Sequence, residues 1–229
     1  MVKSAAEIAK IRHICRQTGD AFDALPDIAR EGVELSTVLR RFRIDLLHRG
    51  ADEVPYLVGA AGPGGYPDVI SPPTEEPLLP GDVLMLDTGA VYDGYFCDFD
   101  RNVAIGRADD AAFRAYDTLH RAVDAGLHAI RPGVPCAELF TAMATAINAD
   151  RFNAGNVGRF GHGLGSQLTE WPPHTPTDHT LLRSGMVITL EPELTIAPGR
   201  IMVHEEDVLV LPDGVELLTR RAPAELPII

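Results

Sequence analysis

The sequence predicts an α+β domain in which pairs of helices alternate with antiparallel strands. Three observations predict it. Two stretches near the N-terminus and two in the middle carry apolar residues at helical spacing. Between and after them lie β-rich segments punctuated by Asp-Gly turns. The elements follow one another with no linker, so residues 1–229 read as one domain in which a helix pair and a sheet section occur twice.

The first helix is predicted from "SAAEIAKIRHICRQTGDAF", where Ser4 and Glu7 stand in capping-box spacing and Ile8, Ile11 and Ile14 share a face. A second helix runs from about Leu35 through "STVLRRFRIDLLHRG" and stops at Gly50. "VPYLVGAAG" reads as a short strand, and "PGGYPDVISPPTEEPLLPGD" as a Pro- and Gly-rich surface loop. "VLMLDTGAV" and "YFCDFDRNVAIG" form a hairpin around Asp93-Gly94. "DDAAFRAYDTLHRAVDAGLHAI" and "CAELFTAMATAINAD" are the second helix pair. "GHGLGSQL" opens with a Gly-rich turn and "WPPHTPTDHT" is a loop. "GMVITLEPEL" reads as one strand, and "IMVHEEDVLVLPDGVELLT" as a strand pair turning near Asp213-Gly214.

Composition narrows the function classes. Apolar residues make up 45% of the chain, enough for a real core, and the formal net charge is −13. No basic run offers a groove for nucleic acid or a patch for an anionic membrane. No apolar run is long enough to span a bilayer, and "MVKSAAEIAKIRHIC" lacks the apolar centre of a signal peptide. Three cysteines, Cys15, Cys97 and Cys136, without CxxC spacing fit a reducing cytoplasm and argue against a disulfide framework or a thiolate zinc site.

The chemistry concentrates in "LDTGAVYDGYFCDFDRN". A two-residue turn at Asp93-Gly94 sets Val91 opposite Phe96, Gly89 opposite Asp98 and Asp87 opposite Asp100. Alternation then puts Asp87, Asp98 and Asp100 on one face, where three like charges destabilise the strands unless a cation or protonation neutralises them. Downstream, His162 lies between glycines in "GHGLG", and Glu191, Glu205 and Glu206 interrupt otherwise apolar strands. One imidazole with several carboxylates suits Mn²⁺, Fe²⁺, Co²⁺ or Zn²⁺, and a pair of ions sharing carboxylates would explain why so many acids are needed.

In that order, "LDTGAVYDGYFCDFDRNVAIG", "GHGLG", "LEPEL" and "HEEDVLV" resemble the motifs of the pita-bread metallohydrolases of the M24 type. That group includes methionine aminopeptidase, Xaa-Pro aminopeptidase, prolidase, creatinase and ectoine hydrolase. The resemblance runs from "VKSAAEIAKIR" to about Leu218. It implies a curved, mostly antiparallel sheet covered by two helix pairs with pseudo-two-fold repetition. It also implies two divalent ions, Mn, Fe, Co or Zn, with Asp87, Asp98, His162, Glu191 and Glu205 as ligands. Glu191 would in addition shuttle a proton to the leaving nitrogen. Prolidase-like members carry a domain ahead of the first helix; here Met1 stands almost on that helix, so the expectation is either a standalone catalytic domain or a truncated product.

Two departures from the family pattern shape the expected substrate. Peptidases of the family carry a histidine in the loop before the hairpin, where this chain reads "GYPDVIS", and a second histidine where it has Thr169. Asp68 is then either a turn residue or a replacement acid-base group. Asp100 stands where the family more often has Thr or Ser and is a further catalytic candidate. His174, Trp171, Thr169 and His204 are the substrate-binding candidates; alternation turns His204 to the face opposite Glu205.

The implied activity is a dinuclear metal-dependent hydrolase cleaving a C–N bond. The resemblance points to Xaa-Pro peptides, the missing histidines to a non-peptide small molecule. A lyase on the same metal site and a non-catalytic protein using the cleft are the alternatives. A monomer and a homodimer whose partner covers the cleft are both open.

Overall fold

The computed structural model describes residues 2–154 and 158–229; of the span read as one domain, Met1 and 155–157 lie outside the described residues. α1 (Ala5–Asp23) begins where expected, with Ser4 accepting from the Glu7 N–H and the Glu7 carboxylate accepting from the Ser4 N–H. A short α2 (Leu25–Ile28), absent from the sequence reading, follows at once around Pro26. α3 (Leu35–His48) ends against Gly50, whose φ of 109° few other residues adopt.

The first sheet contains β1 (Glu53–Pro63), β2 (Asp82–Tyr92), β3 (Tyr95–Phe96) and β4 (Phe99–Ala104), all paired antiparallel. β1 is longer than the short strand expected. The hairpin register agrees with the turn arithmetic: Val91 faces Phe96 and Asp87 faces Asp100. Asp93 and Gly94 both have positive φ, as a tight hairpin turn of this kind requires. The second half repeats the order with α4 (Asp110–Ala129) and α5 (Cys136–Ala149), followed by strands. β6 (Val187–Leu190), β9 (Glu206–Leu211) and β10 (Gly214–Leu217) form one antiparallel sheet. β5 (Asn153–Ala154), β7 (Glu193–Ala197) and β8 (Arg200–Val203) form another. This is the α+β pita-bread architecture, antiparallel sheets flanked by helices.

Alternate side chains of the central strands feed two apolar clusters. Leu84 and Leu86 of β2, with Leu209 of β9, pack among residues of α1 and α3. Val83 and Met85, with Val208 and Val210, pack among residues of α4 and α5. Asp87 continues the Val83–Met85 series, at the point where apolar packing gives way to an acidic cavity.

Three interruptions position the site. "GMVITLEPEL" is two strands rather than one: the ladder stops at Leu190, and Glu193 resumes it in a different sheet. Pro192 has no N–H to donate, so a continuous ladder cannot pass through it. The segment "IMVHEEDVLVL" likewise breaks between Val203 and Glu206 and changes sheet. The second hairpin strand breaks between Phe96 and Phe99.

Candidate metal centre

Asp98, Glu191 and Glu205 each sit at one of these interruptions. Out of the ladder, a side chain is freed from the strict in-out alternation that would bury it in the core or turn it to solvent. His162 comes from a loop but is tied to β6 at both ends of its peptide unit. Its N–H donates to Thr189 Oγ1 at 3.1 Å, and its carbonyl accepts from the Thr189 N–H at 2.8 Å.

Donor atoms of Asp98, His162 and Glu205, all three buried, lie within 4.8 Å of one another. His162 Nε2 is 3.4 Å from Asp98 Oδ2 and 3.8 Å from Glu191 Oε1. His162 Nδ1 is 2.9 Å from the Gly163 carbonyl, an acceptor only, so Nδ1 carries a proton and Nε2 is the nitrogen turned to the carboxylates. Asp87 joins from mid-strand. The Tyr56 hydroxyl donates to its Oδ2 at 2.9 Å, while Asp87 Oδ1 and Glu205 Oε1 are buried without a hydrogen-bond partner.

All five expected ligands line one cavity of about 400 Å³, a size that suits a small ligand. Tyr56, Arg159, Thr169 and Glu193 complete its polar wall, and Val69, Ile70, Leu168 and Val203 its apolar one. Arg159 Nε donates to Glu191 Oε1 at 3.2 Å.

The electrostatics follow from crowding acids away from water. Burial, then the charges of Asp98 and Asp100, hold Asp87 well above the usual carboxylate range. Burial raises Glu205 in the same way, with Asp98, Glu191 and Asp87 adding to it. Burial likewise lifts Asp98 to about 6, partly offset by its hydrogen bond to His162. For His162 burial acts downward, but Asp98 and Glu191 outweigh it and the ring is raised overall. A divalent cation answers each of these features: it neutralises the like charges, occupies the orphaned oxygens and takes the place of a proton on the imidazole nitrogen turned to the acids. The donor set therefore fits a hard or borderline divalent ion.

The remaining candidates are placed differently. Asp100 shares the Asp87 face by register but does not line the cavity, because the backbone at the β8–β9 break covers it: its Oδ1 accepts from the Glu205 N–H at 2.8 Å. Asp68 is exposed, and its Oδ1 accepts from the Ile70 N–H at 3.2 Å in a local turn; its neighbours Val69 and Ile70 reach the cavity instead. Thr169 lines the cavity, whereas Trp171 is 56% exposed and outside the lining. His204 points away from the site, beside Tyr116 and Arg221.

His174 lies behind the site, fully buried and also outside the lining, and burial holds its pKa near 3. A Cβ on Gly161 would stand 2.2 Å from its Nδ1, and one on Gly163 would stand 2.4 Å from the Trp171 carbonyl oxygen. The glycines around His162 thus serve close packing behind the imidazole more than open access in front of it.

Sequence reasoning missed Tyr56, Arg159 and Glu193. Glu193 was findable: it lies two residues beyond Glu191 in "LEPEL", an acid opening an apolar strand. Tyr56 and Arg159 carried no such signal, since their place depends on how β1 and the loop before His162 meet the hairpin.

Fold and donor set together define a metal-binding protein of the pita-bread class. Residues 9–213 match metallopeptidase family M24, and the chain belongs to that family. It is 29% identical over 225 residues to an uncharacterized peptidase of Staphylococcus aureus, a match covering 95% of this chain and 62% of that protein. The chain thus spans somewhat under two thirds of that relative's length. Dipeptidase PepE from Mycobacterium ulcerans superposes with a TM-score of 0.94 at 27% identity, over 100% of this chain and 62% of that one. An X-Pro aminopeptidase from Thermotoga maritima superposes with a TM-score of 0.91 at 26% identity, over 100% and 64%.

Proposed function

We propose that this chain is a metal-dependent hydrolase that cleaves the C–N bond of a small amide or peptide-like substrate, with two divalent ions held by Asp87, Asp98, His162, Glu191 and Glu205. The observation that carries this reading is the convergence of the Asp98, His162 and Glu205 donors within 4.8 Å, in a cavity that also holds two orphaned carboxylate oxygens. The dipeptidase, aminopeptidase and prolidase among its structural relatives support the reaction class.

When bound, the ions would polarise the substrate carbonyl and make water a competent nucleophile at neutral pH. The chain's own residues do the rest. Tyr56 fixes one oxygen of Asp87 and leaves the other for the cavity. The Gly163 carbonyl fixes the His162 tautomer. Arg159 anchors Glu191 Oε1, holding a carboxylate at the cavity wall that can pass a proton to the leaving nitrogen. Val69, Ile70, Leu168 and Val203 give the substrate an apolar wall.

Thr169 in the lining offers a hydroxyl where peptidases of the resemblance offer an imidazole, and the cavity lining contains no histidine besides His162 among the described residues. We therefore place the substrate among small non-peptide amides ahead of Xaa-Pro peptides. Metal-loaded protein should hydrolyse members of a small-amide panel and leave Xaa-Pro dipeptides and N-terminal Met peptides intact. Rapid cleavage of either peptide class would overturn the substrate assignment. Inertness toward the whole panel, with metal bound, would overturn the hydrolase.

A further inference from the structure

Asp98 and Glu205 have lost their places in the strand ladders, so their buried N–H groups need acceptors elsewhere. Each finds one in the other's segment. The Asp98 N–H donates to Asp207 Oδ2 at 2.9 Å, and the Glu205 N–H donates to Asp100 Oδ1 at 2.8 Å. Asp100 stands two residues after Asp98, and Asp207 two residues after Glu205. The exchange is therefore reciprocal: each segment gives the N–H of its donor residue and accepts with the carboxylate two positions on.

We propose that Asp100 and Asp207 form a clasp that sets the separation and orientation of the Asp98 and Glu205 carboxylates, making both aspartates positioning residues of the donor set. The inference rests on the metal-dependent reading above. Neither aspartate lines the cavity, and both are 0% exposed. A single hydrogen bond between two segments is a pivot; two antiparallel ones fix both translation and rotation. Arg101 closes the same junction, its Nη1 donating to the carbonyls of Asp100 and Glu205 at 2.6 and 3.1 Å. Cys15 Sγ, 3.3 Å from Asp207 Oδ2, ties the clasp to α1.

The test compares Asp100→Ala and Asp207→Ala with Asp100→Asn and Asp207→Asn, which keep a carbonyl acceptor. Mn²⁺ affinity is read by chelator competition, and apo-state folding by circular dichroism. The alanine variants should bind Mn²⁺ about 10- to 100-fold more weakly, and the asparagine variants should recover most of that loss. Unchanged affinity in the alanine variants overturns the clasp, as does an equal loss in the asparagine pair. Should the alanine variants fail to fold, amide hydrogen exchange of the unsubstituted chain decides: slow exchange at Asp98 and Glu205 supports the clasp, and exchange at solvent rates overturns it. An unsubstituted chain that binds no Mn²⁺ sinks the hydrolase instead, and the exchange measurement still judges the hydrogen bonds.

Discussion

His162 Nε2 lies 3.4 Å from Asp98 Oδ2, with the proton of the ring fixed on the opposite nitrogen by the Gly163 carbonyl. The pair joins a loop to a broken hairpin strand, and a cation between them would staple the two halves of the fold. Added Mn²⁺ at about 100 times its Kd should raise unfolding free energy by about 2.7 kcal/mol. His162→Ala should lose most of that increment, measured against the variant's own metal-free stability. Denaturant titrations with and without Mn²⁺ check this, and an increment that survives the substitution would exclude His162 as a ligand.

In the proposed donor set, Tyr56 would act on a bound ion through Asp87. Its hydroxyl holds Oδ2 at 2.9 Å, and its loss would leave the carboxylate free to rotate. Tyr56→Phe should weaken metal binding about tenfold at the low end for such outer partners. Calorimetric titration reads the change; unaltered affinity would show that β1 packing alone orients Asp87.

The crowded acids give metal-free protein a distinctive pH dependence. Burial raises Asp98 to about 6 in the folded chain, above its unfolded value, so the folded state holds a proton that the unfolded state has released. The resulting stability is complete below the unfolded value and is lost as pH rises through about 6. Asp98→Asn lacks this titration and serves as the baseline. In chelator, wild-type stability relative to that variant should rise as pH falls from 7 to 4, whereas metal affinity should fall over the same window. Urea midpoints at each pH measure the first effect. A flat or opposite trend would mean that Asp98 is ionised and compensated without a metal.

Gly161 has a φ of 143°, and a Cβ there would stand 2.2 Å from His174 Nδ1 and 2.3 Å from the Thr189 carbonyl oxygen. Neither the rigid backbone nor the buried ring can give way without moving His162. Gly161→Ala should cost about 2–4 kcal/mol and weaken metal binding as well. Stability and affinity near wild type would show that the loop yields more easily than its packing suggests.

Much of this was legible in the chain, for local reasons. The Ser4–Glu7 capping box starts α1, and the Asp93-Gly94 turn fixes a register that sets Asp87 opposite Asp100. Both signals lie within a few residues, where sequence and backbone geometry are tightly coupled. The strand breaks at Asp98, Glu191 and Glu205 were not legible, except through Pro192 in hindsight, because they record where one sheet hands over to another. Asp100 shows the limit most clearly. Alternation put it on the correct face, but only the tertiary approach of Glu205 decides that its carboxylate meets a backbone N–H instead of the cavity. His174 and Trp171, three residues apart in one predicted loop, end in opposite places, one fully buried and one largely exposed.

Metal content decides whether Asp87, Asp98, His162, Glu191 and Glu205 hold divalent ions. The most direct measurement is elemental analysis of protein purified without chelator and, in parallel, after reconstitution with Mn²⁺, Fe²⁺, Co²⁺ or Zn²⁺. Two ions in that donor set give about two equivalents per chain, falling below about one in Asp98→Ala. Protein that carries no metal and takes up none on reconstitution would contradict that donor set.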